Sequence, residues 1–308
     1  MKYLVAGATG LAGSAVMRAL ESAGIHPIGI SSSNLNLLDR SATFSFILEH
    51  RPDVIIDAAA RVGGIGANSE LPVEFISENL QMQVNLMDAA HQASVEQFVF
   101  LGSACIYPKF CEQPIREESL LTGLLEPTNS AYAIAKIAGL ETINAYRKQF
   151  GKKWISIMPT NLYGPNDNFD ELSGHVLPSL IAKFERARRE NARKVVLWGS
   201  GLPRREFLHA DDLAQAILLC LEKYDSSMPI NVGVGEDITI KELAGMIAEE
   251  SGFKGEVIWD RTKPDGTPRR VLEVSRIKTL GWMPKIELRD GISETISWFR
   301  NNYSKGLA

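Results

Sequence analysis

Gly7-Ala-Thr-Gly10-Leu-Ala-Gly13 follows the apolar run Lys2–Ala6 and opens an amphipathic stretch that begins at Leu11. Glycines at this spacing permit a tight strand-to-helix turn, let backbone N–H groups approach a pyrophosphate, and allow the helix to pack closely on the strand. Such a run is common on its own. Its place directly after a first strand makes it point to a dinucleotide.

Outward from the loop, short Val- and Ile-rich runs alternate with longer amphipathic stretches. The strand candidates are Lys2–Ala8, His26–Ser31, Asp53–Ala60, Gln97–Ala104, Trp154–Pro159, Lys194–Trp198, Pro229–Val234 and Glu256–Trp259. Between them, Leu11–Ala23, Val73–His91, Ala131–Phe150, Asp211–Glu222 and Ile240–Ser251 read as helices. Continuous rather than alternating apolar character marks strands buried on both faces, hence parallel and helix-covered. The rhythm predicts an α/β fold, a Rossmann doubly wound parallel sheet with a smaller C-terminal α/β substrate domain. The pattern loosens after Gly164 at Pro165-Asn-Asp-Asn168 and regains strand-helix character at Phe207–Pro229. We therefore expect a dinucleotide-binding domain of 1–164 with about 206–235, and a substrate domain of about 165–205 and 236–308. The Pro- and Glu-rich stretch Pro108–Asn129 reads as an inserted surface loop.

Composition limits the partners. The chain has 308 residues, a net charge of −4, 45% hydrophobic and 23% charged residues. With no basic surplus, neither nucleic acid nor an anionic membrane is expected. No apolar run approaches the roughly 18 residues of a membrane span, and the first strand begins too early for a signal peptide. Cys105, Cys111 and Cys220 show no metal-ligand spacing, so no metal and a reducing cytoplasm are expected.

Dinucleotide folds usually carry an acid about 20 residues beyond the glycines, where it bonds the adenosine ribose. Here the second strand ends in Ile30-Ser-Ser-Ser-Asn34 without one, and Arg40 is the nearest following arginine. Hydroxyls and an amide suit a 2′-phosphate, which favours NADP(H) with NAD(H) left open.

Tyr132 and Lys136 lie four residues apart in Asn129-Ser-Ala-Tyr-Ala-Ile-Ala-Lys136 and share one face of a helix for which Asn129 or Ser130 is the expected N-cap. A neighbouring ammonium favours the ionised phenol, which equips Tyr132 to exchange a proton with a carbonyl oxygen. Ser103, expected at the carboxyl end of the Gln97–Ala104 strand, sits where such sheets bind ligands and can donate to that same oxygen. Cys105, two residues further along an expected strand end, would face the same pocket, although a lone cysteine is usually a small core residue. His175 reads either as a site residue or as a helix cap, and Trp198 as core or as a flat surface beside a nucleotide. The basic stretch Lys183–Lys194 reads mainly as a solvated helix face, with Lys183 and Arg205 singled out for a diphosphate. His209 is expected to support a turn and helix start.

Taken together these residues resemble the extended short-chain dehydrogenase/reductase family, from the glycine loop to about Trp298. Within it the chain is similar to the 3,5-epimerase-4-reductase branch that acts on GDP-4-keto-6-deoxy-D-mannose. The likeness rests on Ala60-Arg-Val-Gly-Gly-Ile-Gly-Ala-Asn68, Leu101-Gly-Ser-Ala-Cys-Ile-Tyr-Pro108, Glu126-Pro-Thr-Asn129, Tyr132-Ala-Ile-Ala-Lys-Ile-Ala-Gly139 and Met158-Pro-Thr-Asn-Leu-Tyr-Gly-Pro165, and continues through Trp198-Gly-Ser-Gly201, Arg205-Glu-Phe-Leu-His209 and Asp265-Gly-Thr-Pro-Arg269.

The resemblance implies inversion at C3 and C5 followed by hydride delivery to C4. Tyr132 would be the proton donor, Lys136 its tuner and a ribose ligand, Ser103 the carbonyl orienter, and Cys105 and His175 the epimerisation base and acid. NADP(H) would rest on Gly7, Ala8, Thr9, Gly10, Leu11, Ala12, Gly13, Ser32, Ser33, Asn34, Asn36, Leu37, Leu101, Gly102, Lys136, Pro159, Thr160, Asn161, Leu162 and His175. Lys183, Trp198, Arg205 and Asp265 would hold the GDP-sugar. Family members commonly carry arginine where this chain has Thr9 and Ser32, which bears on cofactor preference. Members are commonly dimers, and Val73–His91 with Ala131–Phe150 are the helices expected to pair. A 4,6-dehydratase would need an Asp-Glu pair where Ser103-Ala-Cys105 stands. A reductase of a related GDP-4-keto sugar, a 4-epimerase, and a dinucleotide-sensing regulator remain as alternatives.

Overall fold

The computed structural model describes residues 1–302 apart from Leu172 and Pro264. Residues 303–308, which the sequence reading assigned to the substrate domain, lie outside the described residues. Strands β1 (Tyr3–Ala6), β2 (Ile28–Ile30), β3 (Val54–Asp57), β4 (Gln97–Leu101) and β5 (Ile155–Pro159) form one sheet with Ile230–Val232. Its order is Ile230–Val232, β5, β4, β3, β1, β2, and every pairing is parallel.

Alternate residues of each strand point to opposite faces, and both faces are roofed. Val5, Ile56 and Val99 pack with Val16 and Leu20 of α1 (Leu11–Ser22) and with Leu213 and Ile217, on one side. Leu4, Ile55 and Phe100 pack on the other with Ile47 of α2 (Arg40–His50), with Leu86 and Met87, and with Ile143. Those last belong to α4 (Pro72–Gln92), preceded by the short α3 (Ile65–Glu70), and to α5 (Ser130–Phe150). This is the doubly wound α/β arrangement expected. Each central strand is buried because it has helices above and below.

A second apolar cluster joins Leu177, Ile181 and Phe184 of α6 (Val176–Arg189) to Leu243 and Ile247 and to Ile292, Ile296 and Phe299 of the helix Leu288–Asn302. Beside it Lys194–Trp198 pairs in parallel with Glu256–Asp260. Of the segment 206–235, Ile230–Val232 pairs with β5, whereas Phe207–His209 pairs with Asn161–Tyr163 in a separate two-stranded sheet. α7 (Ala210–Lys223) then packs on α1, its start held by His209, which accepts from the Asp211 amide at 3.3 Å. No helix among the described residues is long and apolar enough to cross a membrane.

Candidate active site

The chain leaves β1 at Gly7 with φ of +75°, a conformation that L side chains avoid. A Cβ there would stand 2.7 Å from the Ala58 carbonyl oxygen, and one on Gly13 would collide with the Gly7 carbonyl. Gly10, by contrast, would meet only the Gly7 oxygen, at 3.5 Å, so the mouth of the loop stays open. Gly10 is also the N-cap of α1 and brings no side-chain cap. First-turn amides have no acceptor within their helix, and the helix dipole adds positive potential there. The loop lies where β2 and β3 diverge to either side of β1, the switch point at which doubly wound sheets bind ligands. These features fit the diphosphate of a dinucleotide.

After β2, Ser32, Ser33 and Asn34 are exposed, the Ser31 and Ser33 hydroxyls lie 2.8 Å apart, and the Asn34 side chain accepts from the Ser31 amide at 2.7 Å. Arg40 is turned away to Asp88 at 2.8 Å and Asn85 at 3.3 Å, so hydroxyls form this rim. Asn36 is exposed, and Leu37 is buried with its carbonyl accepting from Asn85 at 2.8 Å. Across the crevice, Gly102 donates to Ile157 at 2.9 Å, Thr160 donates to Val232 at 3.0 Å, and Asn161 donates to the Glu206 carbonyl at 2.8 Å. Pro159 closes β5, and Leu162 lines the first apolar cluster.

Tyr132 and Lys136 occupy successive turns of α5. The Lys136 ammonium is buried, donates to the Leu101 carbonyl at 2.8 Å, and lies 4.7 Å from the Phe100 ring centre and 6.0 Å from that of Tyr132. Burial lowers its pKa to about 8, against the opposing pull of Asp57. The sequence reading expected this ammonium to favour the phenolate. Instead burial pushes the Tyr132 phenol upward, charge on Cys105 adds to the rise, and the Ser103 hydroxyl alone opposes it. The cation is directed at a carbonyl, so desolvation of the phenol prevails.

β4 ends at Leu101, short of the expected Ala104. Ser103 caps a 3₁₀ turn, Ala104–Ile106, and accepts from the Cys105 amide at 3.2 Å. Strand alternation therefore does not aim Cys105; the turn does. Asn129 stands at the N-cap position of α5, but its side chain makes no cap bond and donates to the Cys105 sulfur at 3.3 Å. Burial, joined by repulsion from Arg270, lowers the Arg205 pKa to about 10, against the opposing pull of charge on Cys105 and Glu126. Arg270 donates to the Ala104 carbonyl at 3.3 Å. Neither Arg270 nor the Asn129 contact was read from sequence; the Glu126-Pro-Thr-Asn129 block was the available signal.

His175 holds the N-cap position of α6 without a side-chain cap bond. The residue keeps solvent exposure, yet desolvation by the surrounding chain lowers its pKa and favours neutral imidazole. The preceding Ser173 carbonyl accepts from the Gly64 amide at 2.8 Å, and a Cβ on Gly63 would stand 3.2 Å from Phe75, whose ring is edge-on to Tyr132 at 6.3 Å. The Gly63-Gly64 turn thus links the His175 segment to Tyr132.

Lys183 and Lys263 flank Trp198, 5.9 and 5.5 Å from its ring centre, and Trp198 is 65% exposed, which rules out a core role. Lys263 was not read from sequence. Asp265 accepts from the Ser200 amide at 2.8 Å and its hydroxyl at 2.7 Å. The Arg205 guanidinium would lie 3.1 Å from a Cβ on Gly266, and Thr267 donates to Glu126 at 3.1 Å. This loop cluster therefore meets the Cys105 side of the site. No group of three or more His, Cys, Asp or Glu among the described residues is placed to hold a metal ion.

A glycine cradle at the switch point, with a buried Tyr/Lys pair and a strand-end serine, defines a dinucleotide-dependent enzyme acting at a carbonyl carbon. The NAD dependent epimerase/dehydratase family matches residues 3–233. The chain is 49% identical to GDP-L-fucose synthase 1 of Arabidopsis thaliana, over 98% of this chain and 94% of that protein. It is 46% identical to GDP-L-fucose synthase of Escherichia coli K12, over 99% and 98%. Among solved structures, a GDP-L-fucose synthetase from Naegleria fowleri bound to NADP superposes with a TM-score of 0.90 at 31% identity, covering 98% of this chain and 94% of that one. The chain belongs to the NAD dependent epimerase/dehydratase family and, within it, to the GDP-L-fucose synthases.

Proposed function

We propose that this enzyme uses NADPH to convert GDP-4-keto-6-deoxy-D-mannose into GDP-L-fucose, inverting C3 and C5 and then reducing C4. The observation that carries the reading is the convergence at Cys105. Its sulfur is held by Asn129 and lies within electrostatic reach of both Tyr132 and Arg205.

The C4 ketone makes the C3 and C5 protons acidic, because the carbanion left behind delocalises onto the ketone oxygen. The Cys105 thiolate removes the proton and becomes a thiol, while Tyr132 and Ser103 donate to the oxyanion. His175 in its imidazolium form, a stronger acid because burial lowers its pKa, returns a proton on the opposite face and becomes neutral. Thiols and imidazoles both exchange protons near neutral pH. NADPH, when bound, supplies the hydride. The Tyr132 phenol then gives its proton to the C4 oxygen; a phenol kept protonated by burial is suited to that step. Gly7 to Gly13, Ser32 to Leu37, Leu101, Gly102, Lys136, Pro159 to Leu162 and His175 serve the dinucleotide. Lys183, Trp198, Arg205 and Asp265 serve the GDP-sugar.

We assign 1–164 with about 206–235 to the dinucleotide lobe and the remainder to the substrate lobe. The enzyme works in the cytoplasm, and it works as a homodimer, the second reading supported by the exposed Val73, Ile134 and Phe150 on α4 and α5. In D₂O without reduced cofactor, the wild type exchanges the sugar's C3 and C5 hydrogens, read by NMR. Cys105→Ser loses most of that exchange. Undiminished exchange in both Cys105→Ser and His175→Asn would leave a plain 4-keto-sugar reductase as the better reading.

A further inference from the structure

β3 is Val54-Ile55-Ile56-Asp57, apolar until its last residue and buried throughout. Asp57 is 2% exposed; its Oδ1 accepts from the Ala59 amide at 3.2 Å and its Oδ2 has no partner. Its register neighbours are Ala6 on β1 and Phe100 on β4. Alternation puts Asp57 on the face of Ile55 and Phe100, the face that α4 and α5 cover. The Lys136 ammonium enters the same face from α5, against the Phe100 ring and bonded to Leu101 at the end of β4. The two groups form no ion pair at 4 Å or less, yet each is the foremost charge acting on the other. A buried carboxylate with an unfilled oxygen is costly where a Leu or Val would pack. Such a cost, kept beside a proposed reactive group, suggests a task.

We infer that Asp57 is a positioning residue whose buried carboxylate holds Lys136 as an ammonium beside the reacting carbonyl. The inference rests on the proposed function in placing Lys136 at the reacting carbonyl, one helical turn from Tyr132. Burial lowers Lys136 to about 8 and Asp57 opposes that fall; burial raises Asp57 to about 6 and Lys136 opposes that rise. Between those values both groups are charged, and without the carboxylate the lysine loses its proton at lower pH. Of the other ionisable groups on the packed elements, Glu74 lies half-buried in the first turn of α4 and His91 packs on Tyr146 and Phe150 at the far end of that helix. Glu78 of α4 pairs with Arg61 at 2.9 Å, Asp88 with Arg40 at 2.8 Å, and Glu141 of α5 is exposed. Tyr132 remains, its ring 6.0 Å from the ammonium.

The test follows the lysine directly, in cofactor-free protein labelled with ¹³C at lysine Cε, with Lys136→Arg identifying the resonance. In Asp57→Asn and Asp57→Leu the Lys136 midpoint drops by about one pH unit or more, as expected for loss of a nearby opposite charge. The alkaline limb of kcat/KM drops with it, whereas a carboxylate with a merely structural role would lower Tm and leave the Lys136 midpoint and that limb in place. An unchanged midpoint in both variants overturns the inference. A midpoint that moves while the rate limb stays fixed supports the Asp57 inference and removes Lys136 from the reaction. Should neither variant fold, the wild-type resonance decides: a coupled pair gives a second, smaller inflection near the Asp57 value of about 6, and its absence overturns the inference.

Discussion

Two buried polar regions of this molecule are built to opposite specifications. At the edge of the sheet, Glu206 accepts from the Gly235 amide at 2.6 Å and the Leu272 amide at 2.9 Å, one on each oxygen. Beside it, Asn231 accepts from the Tyr107 hydroxyl at 2.6 Å, donates to Ile115 at 3.0 Å and Glu273 at 3.2 Å, and gives its amide to Glu117 at 3.0 Å. In the corner between β3, β4 and α5, Asp57 Oδ2, Gln83 Oε1 and Asn129 Oδ1 are buried without partners. Burial shifts Lys136 and Tyr132 there in the directions that disfavour charge, as it shifts Glu206 at the sheet edge, so the two regions differ in how fully their polar atoms are bonded. Saturated bonds fix a structure, because each lost partner leaves another group stranded. The unsaturated corner stabilises nothing comparable and is available for chemistry.

The largest effect that would test this contrast is on the corner. Tyr132→Phe removes a hydroxyl that burial keeps protonated, and it should cut turnover by about 10²-fold or more while dinucleotide binding, measured by fluorescence titration, is retained. Near-normal turnover would make the corner as structural as the sheet edge.

The next effect is on the sheet edge. Glu206→Gln turns an amide NH₂ toward one of the two backbone N–H groups that the carboxylate accepts from, so one donor is left facing another. That should cost about 2 kcal/mol, seen as a lower midpoint in urea or heat. The pH dependence has a definite sign: burial raises the Glu206 pKa, so its contribution is present at low pH and is lost as pH rises through the folded value. A stability loss smaller than that of Tyr132→Phe would erase the distinction.

Much of this contrast lay beyond the reach of sequence. The glycine loop and the Tyr132/Lys136 spacing were legible because each is a local pattern whose geometry follows from a turn or a helix. The central strands were legible because burial on both faces leaves an unbroken apolar run. α2 was missed since only Thr43 and Ile47 of its residues are buried, leaving a faint apolar stripe. The terminal helix Leu288–Asn302 was missed for a related reason: its buried Ile292, Ile296 and Phe299 are spaced among charged and polar residues that dilute the run. Asp57 was passed over as part of an apolar strand, although a lone acid ending such a strand next to the glycine loop was the available signal. Asn129 read as a helix cap because sequence shows position along the chain, not that Cys105 folds back onto it through the Ala104–Ile106 turn.

The smallest predicted effect, and the sharpest, concerns Asn129. Its Nδ2 supports the Cys105 sulfur from 3.3 Å while its Oδ1 is buried and unpartnered. Asn129→Ala removes both atoms: the loss of one bond is set against relief of one stranded acceptor, so Tm should move little. Chemistry should respond unequally. The base form of Cys105 is the thiolate, and an amide donor aligned on its sulfur keeps that form populated. Loss of one such bond of about 1 kcal/mol lowers the thiolate fraction and slows abstraction roughly fivefold. Proton transfer from Tyr132 to the C4 oxygen does not involve the sulfur. Hydrogen exchange at C3 and C5 in D₂O should therefore fall about fivefold, while reduction of the already inverted ketone keeps its rate. Equal losses in both measurements would mean that Asn129 shapes the pocket as a whole, and a large drop in Tm would place it with Glu206 among the residues that hold the fold.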